Sequence, residues 1–366
     1  MSRVKPKRPD FLLSLPVVIL VGFGMVMVYS ASGVQSLQIY GEDGVIFFKQ
    51  LVAFGMGLGA LIIGMVFPHQ LYRRKSILYP LILLVIALLV GVLFQEKANG
   101  AARWYYIGRF GFQPSDLAKV ALVFFVAAYA TSILSTRNLW RNRLVIIVPV
   151  LVLFCGLILA QPDFGTTMIL VFIVGAMLFL AGLPIRTLFV CGAFLLPLVV
   201  GLVFTRSYRI QRIMDFIQSE HYQTRQAKLA IGSGGLTGVG LAKGKQKLYY
   251  LPEPHTDFIF ATVGEEFGFM GTLTVVLCFL LFLWRGAIVM MRVESPYSKV
   301  LGGGFLMLIC SQAFMNISIA LAIFPNKGLT LPFMSAGGTS LIICMAICGV
   351  LLNISGDQVV ENRVVV

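Results

Sequence analysis

The sequence predicts an all-α polytopic membrane protein of about ten transmembrane helices, with a long extracytoplasmic loop between the seventh and the eighth. Three observations predict it. Hydrophobic residues make up 58% of the 366 and charged residues only 12%, whereas a water-soluble domain carries roughly a quarter charged residues. Apolar runs recur along the chain at about the 17 to 25 residues needed to cross the hydrocarbon of a bilayer. Most connections between them are short, and under that restriction only helices satisfy their own backbone amides within lipid.

Runs bounded by polar or Gly/Pro clusters place spans near residues 11–33, 46–66, 76–94, 114–134, 143–160, 163–182, 185–205, 257–291, 299–324 and 331–354. The first follows Arg3, Lys5, Lys7 and Arg8 as a secretory signal does, but it stays apolar to Val28. A cleavable signal has an apolar core of about 7 to 15 residues, so we read a retained span. The eighth run is long for one crossing and holds Glu265 and Glu266, so its first part is expected to line a protected cavity. Residues 1–366 form one membrane domain, with tails at 1–10 and 355–366 and a large loop at 206–256. The six cysteines (Cys155, Cys191, Cys278, Cys310, Cys344, Cys348) lie inside apolar runs away from the three histidines; neither a disulfide framework nor a zinc site follows.

The N-terminal tail, Arg73 and Arg74, the basic residues of 137–143, Arg186 and those of 292–299 fall on one side if the spans number ten. Short basic loops face the cytoplasm, which places both termini there, in the cytoplasmic membrane. Two opposite segments are nevertheless basic. Residues 95–113 carry Lys97, Arg103 and Arg109, and 206–256 carries eight lysines and arginines against Asp215, Glu220 and Glu253. Either long loops translocate whatever their charge, or this face collects an anionic partner such as a lipid pyrophosphate. Within the long loop, AKLAIGSGGLTGVGLAKGKQ matches neither a P-loop nor a dinucleotide fingerprint. A flexible loop partly folded onto the membrane surface fits it equally well, and nucleic-acid or nucleotide binding is not expected.

Ionisable groups in or beside membrane spans are costly, which makes each a functional candidate. Asp116 and Lys119 share a helix face and are expected to form an ion pair. Asp163, at the start of the sixth span, could pair with Lys119 or with an arginine of the long loop. Asp257 stands where the basic loop meets the eighth span, where either Asp257 or Thr256 could simply cap a helix. Glu265 and Glu266 point to different faces, and at least one needs a lysine, water or metal ion.

Several strings then converge on one family. YSAS at 29–32, ARWYYIGRFGFQPSDLAKVAL at 101–121, AQPDFGTT at 160–167, YRIQR at 208–212, QAKLAIGSGGLTGVGL at 226–241, LPEPHTDFIFATVGEEFGFMGT at 251–272 and FPNKGLTLPFMSAGGTSLI at 324–342 resemble, in order, the SEDS family of FtsW, RodA and the sporulation proteins. The resemblance covers the chain nearly end to end and is closer to the FtsW branch. The chain departs from the family at Asp116, where glutamate is usual, at Ala336, where tyrosine is common, and at Pro254.

What the resemblance implies is a glycosyltransferase that polymerises lipid II into glycan strands at the outer face of the membrane, in cell division or shape control. Asp257 maps to the family's essential aspartate. It would act as general base on the 4-hydroxyl of an acceptor N-acetylglucosamine, a contribution of roughly 10² to 10⁴-fold. Arg209, Arg212, Lys228 and Lys243, with His255 and Thr256, would hold the departing pyrophosphate, and a divalent cation (Mg2+ or Mn2+) could share that task. Lys119 and Asp163 are expected to form a supporting ion-pair network. Gln113, Ser115 and Asp116 would shape the cavity mouth, and Ser335, Gly337, Gly338 and Thr339 either contact substrate or pack helices. The implied partners are a class B penicillin-binding protein, a transpeptidase, and other division or elongation proteins. A lipid II flippase and a non-catalytic scaffold of the division machinery are the competing functions.

Overall fold

The computed structural model describes residues 9–95, 102–108, 110–131, 140–190, 192, 222–325 and 328–357. The apolar runs form helices α1 (Ser14–Tyr40), α2 (Val45–Val66), α3 (Lys75–Gly91), α4 (Pro114–Ala130), α5 (Trp140–Ala160) and α6 (Phe164–Leu180) in its first half. The second half adds α7 (Tyr222–Ser233), the single turn α8 (Gln246–Tyr249), α9 (Ile259–Arg292), α10 (Pro296–Ala320) and α11 (Gly338–Ser355). Among the described residues seven helices are long and apolar enough to cross a membrane, and α6 is a shorter apolar one. Most of the run expected at 185–205 lies outside the described residues.

Three expectations are corrected. Residues 95–113 were read as plain loop, but Tyr105–Ile107 (β1) and Phe110–Phe112 (β2) pair as an antiparallel hairpin with Tyr105 opposite Phe112. Tyr, Phe and Ile, which favour strands, make up all but one of its paired residues. The last helix begins at Gly338, seven residues later than expected, because residues 328–337 form an irregular segment in which Phe333 takes a positive φ of 66°. Finally, the glycine-rich stretch does not run as a flexible loop: residues 235–240 are bonded to the backbone of α9.

Helices α4, α10 and α11 form the interior, and α2 lies against α11 at very short range. A Cβ on Gly349 would stand 2.1 Å from the Leu61 carbonyl oxygen, so these backbones meet with no side chain between them. Small residues permit such contact between membrane helices.

Helix α9 is broken at Gly268 (φ 63°, ψ −157°). There the carbonyls of Glu265 and Glu266 accept hydrogen bonds from Val239 and Gly240, while the amides of Phe269 and Met270 donate to the carbonyls of Gly235 and Leu236. The inserted strand of loop thus replaces the bonds the break removes, as buried backbone groups require. Gly238 must be glycine for this: its φ is 81°, and a Cβ would lie 2.1 Å from the Glu266 carbonyl oxygen.

Candidate functional site

The tight stretch before α9 delivers the candidate carboxylate. Helix α9 starts at Ile259 with Phe258 at its cap position and no side-chain cap, so neither Thr256 nor Asp257 serves the capping role that sequence position allowed. Asp257 is half-buried, and its carboxylate accepts no hydrogen bond among the described residues. Its backbone, by contrast, is held firmly. Asn316 of α10 donates one amide to the carbonyls of both Asp257 (2.9 Å) and Leu329 (2.5 Å).

The irregular segment 328–337 completes that grip. Ser335 donates its hydroxyl to the Thr256 carbonyl at 2.6 Å and accepts the Leu331 amide at 2.7 Å. The Ala336 amide donates to the His255 carbonyl at 2.8 Å. Gln50 of α2 holds the segment from the other side, donating to the Ser335 carbonyl and accepting from the Gly337 amide, each at 3.1 Å. Ser335 therefore positions the backbone beside Asp257.

Asp116 and Lys119 form the expected buried pair at 2.7 Å. Lys119 also donates to Gln312 at 2.8 Å, and Gln312 donates to the Thr330 carbonyl at 3.0 Å. The pair thus props the far side of the 328–337 segment. A cavity of about 10 Å³ beside Asp116, Lys119 and Gln312 has room for about one water. The Ser115 hydroxyl is buried with no hydrogen bond among the described residues, and the Gln113 amide reaches Thr339 at 3.4 Å.

Asp163 does not join Lys119. It caps α6, accepting the Thr166 amide at 3.0 Å and the Thr166 hydroxyl at 2.8 Å. An aspartate at a helix start satisfies otherwise orphaned amides, and that local geometry wins over a longer-range ion pair. Arg103 lies across the same turn, donating to the carbonyls of Gln161 (2.9 Å) and Pro162.

These neighbours tune the candidate base. Burial raises the Asp257 carboxyl to about 7; the Glu253 carboxylate pushes the same way, the Arg103 guanidinium opposes, and Asp163 adds a further upward push. His255 is buried, its Nδ1 has no hydrogen bond among the described residues, and burial lowers its basicity against the opposing pull of Glu253. Thr256 donates to the Glu253 carboxylate at 3.1 Å.

The remaining candidates are distributed elsewhere. Glu265 accepts the Lys245 and Gln246 amides at 2.6 and 3.0 Å. Glu266 is paired with Lys247, and both bond Ser30 of α1. The two glutamates therefore fasten the loop to the bundle. Lys243 is exposed, its stem packed near Gly240, and Lys228 is exposed on α7. Glu265, beside residue 244, is eight residues along the chain from Asp257, about 12 Å at helical rise. Arg209 and Arg212 lie outside the described residues.

Gln50, Gln312 and Asn316 were not singled out from sequence, and Arg103 only as one cation of the basic segment 95–113. A signal existed for two of them: Gln312 and Asn316 are polar residues four apart inside an apolar run, hence on one helix face. Attention to ionisable groups alone passes over such amides.

Fold and site together define a multi-pass helical membrane protein with an environment-tuned carboxylate held at the rim of its bundle. Residues 11–359 match the family described as Cell cycle protein, that of FtsW, RodA and SpoVE, and the chain belongs to that family. It is 37% identical over 356 residues to the probable peptidoglycan glycosyltransferase FtsW of Trichlorobacter lovleyi, covering 94% of this chain and 93% of that protein. A solved peptidoglycan synthase complex, described as coordinating polymerization and crosslinking, contains a chain similar at a TM-score of 0.77 and 27% identity, over 95% of this chain and 97% of that one. The rod shape determining protein RodA of Thermus thermophilus is similar at 0.70 and 29% identity, over 96% and 97%.

Proposed function

We propose that this chain is a peptidoglycan glycosyltransferase that polymerises lipid II at the outer face of the cytoplasmic membrane. The observation that carries the reading is Asp257: a carboxylate without a hydrogen bond among the described residues, on a backbone gripped from two sides, raised to about 7. A general base works best with its ionisation near the operating pH.

In the reaction, the acceptor 4-hydroxyl attacks the anomeric carbon of the donor N-acetylmuramic acid as the bond from that carbon to the diphosphate oxygen breaks. Asp257 takes the hydroxyl proton, and undecaprenyl pyrophosphate leaves with the electron pair. Arg103, beside the Asp257 turn, is the cation best placed among the described residues to meet developing negative charge; Arg209 and Arg212 would add to it. A Mg2+ or Mn2+ ion would find Asp257 and Glu253, but no group of three or more potential ligands stands together among the described residues. Such an ion would supply Lewis-acid stabilisation of the departing diphosphate.

Positive charge on the short loops supports cytoplasmic termini. The class B transpeptidase and other division or elongation proteins are the proposed partners, a reading supported by the likeness to a chain of a synthase complex. The test is lipid II polymerisation by wild type and Asp257→Asn, each co-purified with its cognate transpeptidase. Polymer from wild type alone supports the assignment; equal polymer from both overturns it.

A further inference from the structure

Residues 222–250 contain one arginine, four lysines and no acidic residue. Lys247 is paired with Glu266 inside the bundle, and Arg225, Lys243 and Lys245 are exposed. Interleaved with them are apolar side chains that the fold also leaves outside: Leu229 at 49%, Leu236 at 73%, Leu241 at 48% and Tyr250 at 52% exposure. A water-facing loop has no use for so many, and a purely lipid-facing one has no use for the cations.

The height of this segment follows from two ion pairs on α9. Near its end, Arg285 pairs with Asp10 at 2.6 Å, and the Asp10 amide donates to Ser355 at the end of α11. Nineteen residues earlier, Glu266 pairs with Lys247. From the break at Gly268 to Arg285 the helix rises roughly 25 Å at 1.5 Å per residue, so the two layers are separated by nearly the ~30 Å hydrocarbon thickness. Residues 235–249 are bonded directly to the second layer through Glu265, Glu266, Phe269 and Met270. They therefore lie at the edge of the hydrocarbon, with Phe269 and Met270 exposed just beneath.

We propose that the exposed face of residues 222–250 is a seat for anionic phospholipid headgroups, its leucines and Tyr250 entering the acyl boundary and Arg225, Lys243 and Lys245 meeting lipid phosphates. An apolar surface edged by lysine and arginine, held at that depth, has the chemistry of interfacial helices. Each basic residue near an anionic surface strengthens binding by roughly fivefold. That the leaflet is the outer one rests on the proposed function; the binding itself does not. It also gives Lys243 a role other than holding the substrate's pyrophosphate.

The test uses the full chain with Leu241→Trp, reconstituted in phosphatidylcholine nanodiscs doped with phosphatidylglycerol, with brominated chains on one lipid or the other and the unsubstituted protein as background. At equal mole fraction, brominated phosphatidylglycerol is expected to quench more strongly. That preference should fall several-fold in Lys243→Gln/Lys245→Gln, and on raising salt with the unmutated lysines. Equal quenching by the two lipids overturns the anionic preference. Quenching by neither overturns the membrane seat and makes this a solvent or partner-protein face. None of these readouts needs polymerisation, so a failure of the glycosyltransferase reading would leave them intact.

Discussion

Within the ten residues 257–266 the chain carries three carboxylates, and the fold treats them differently. Glu266 is buried, ion-paired and bonded to Ser30, and Glu265 gives Oε1 to two amides of the loop while its buried Oε2 has no hydrogen bond among the described residues. Asp257 accepts no hydrogen bond among the described residues, although its own carbonyl and those of His255 and Thr256 are all engaged. The difference separates architecture from chemistry. A carboxylate whose oxygens are taken by donors of the loop serves to fasten that loop to the bundle. One held by its backbone, desolvated and near like charges, has its ionisation lifted into the working range.

The comparison breaks most sharply at Asp257. Asp257→Asn is expected to lower lipid II polymerisation by roughly 10² to 10⁴-fold. Thermal stability at neutral pH should hold or rise, because a carboxyl raised above its unfolded value opposes folding once ionised. A loss of folding in place of activity would assign Asp257 to architecture. Glu266→Ala should do the reverse. It strands Lys247 in the interior, a loss of about 3 to 5 kcal/mol for a broken buried pair, which Lys247→Met in the same chain should largely restore; detergent-solubilised melting curves decide it.

Asn316→Ala tests whether backbone grip matters. It leaves two carbonyls short of a donor, with about 1 to 3 kcal/mol of stability at stake. Polymerisation should fall by up to roughly a hundredfold through misplacement of Asp257, and the pH at which activity is half-maximal should stay unchanged. The smallest effect is electrostatic. Activity that requires ionised Asp257 should rise with pH to a plateau, with its midpoint near the value of about 7. Glu253→Gln removes an upward push and should move that midpoint to lower pH, whereas Arg103→Gln should move it higher. A profile indifferent to both substitutions would detach the acid limb from Asp257.

Much of this was legible in the residues. Apolar length reveals membrane helices because hydrocarbon tolerates few other backbones, and α2, α5 and α6 fall where the runs do, whereas α1 extends seven residues past its expected end. The Asp116–Lys119 pair was readable because three-residue spacing is a local geometric fact. Asp163 was misassigned to that pair for the complementary reason, since capping and ion pairing compete for one carboxylate and only the turn after Pro162 decides between them. Gln312, Asn316 and Gln50 reach carbonyls far away in the chain, and no local pattern names those acceptors.

By itself the sequence determined that this protein crosses a membrane repeatedly, that its loop of residues 206–256 is basic, and that few ionisable groups lie among its spans. These follow from solvation, which each residue carries with it. Only the tertiary structure decided which carboxylate stays available. It did so by inserting the glycine segment into the α9 break, feeding Glu265 and Glu266, and by closing residues 328–337 on the backbone of Asp257 while leaving its side chain unbonded among the described residues. Hydrogen-bond partners distant in the chain are allotted by packing, and a side chain's chemistry depends on what packing leaves unspent.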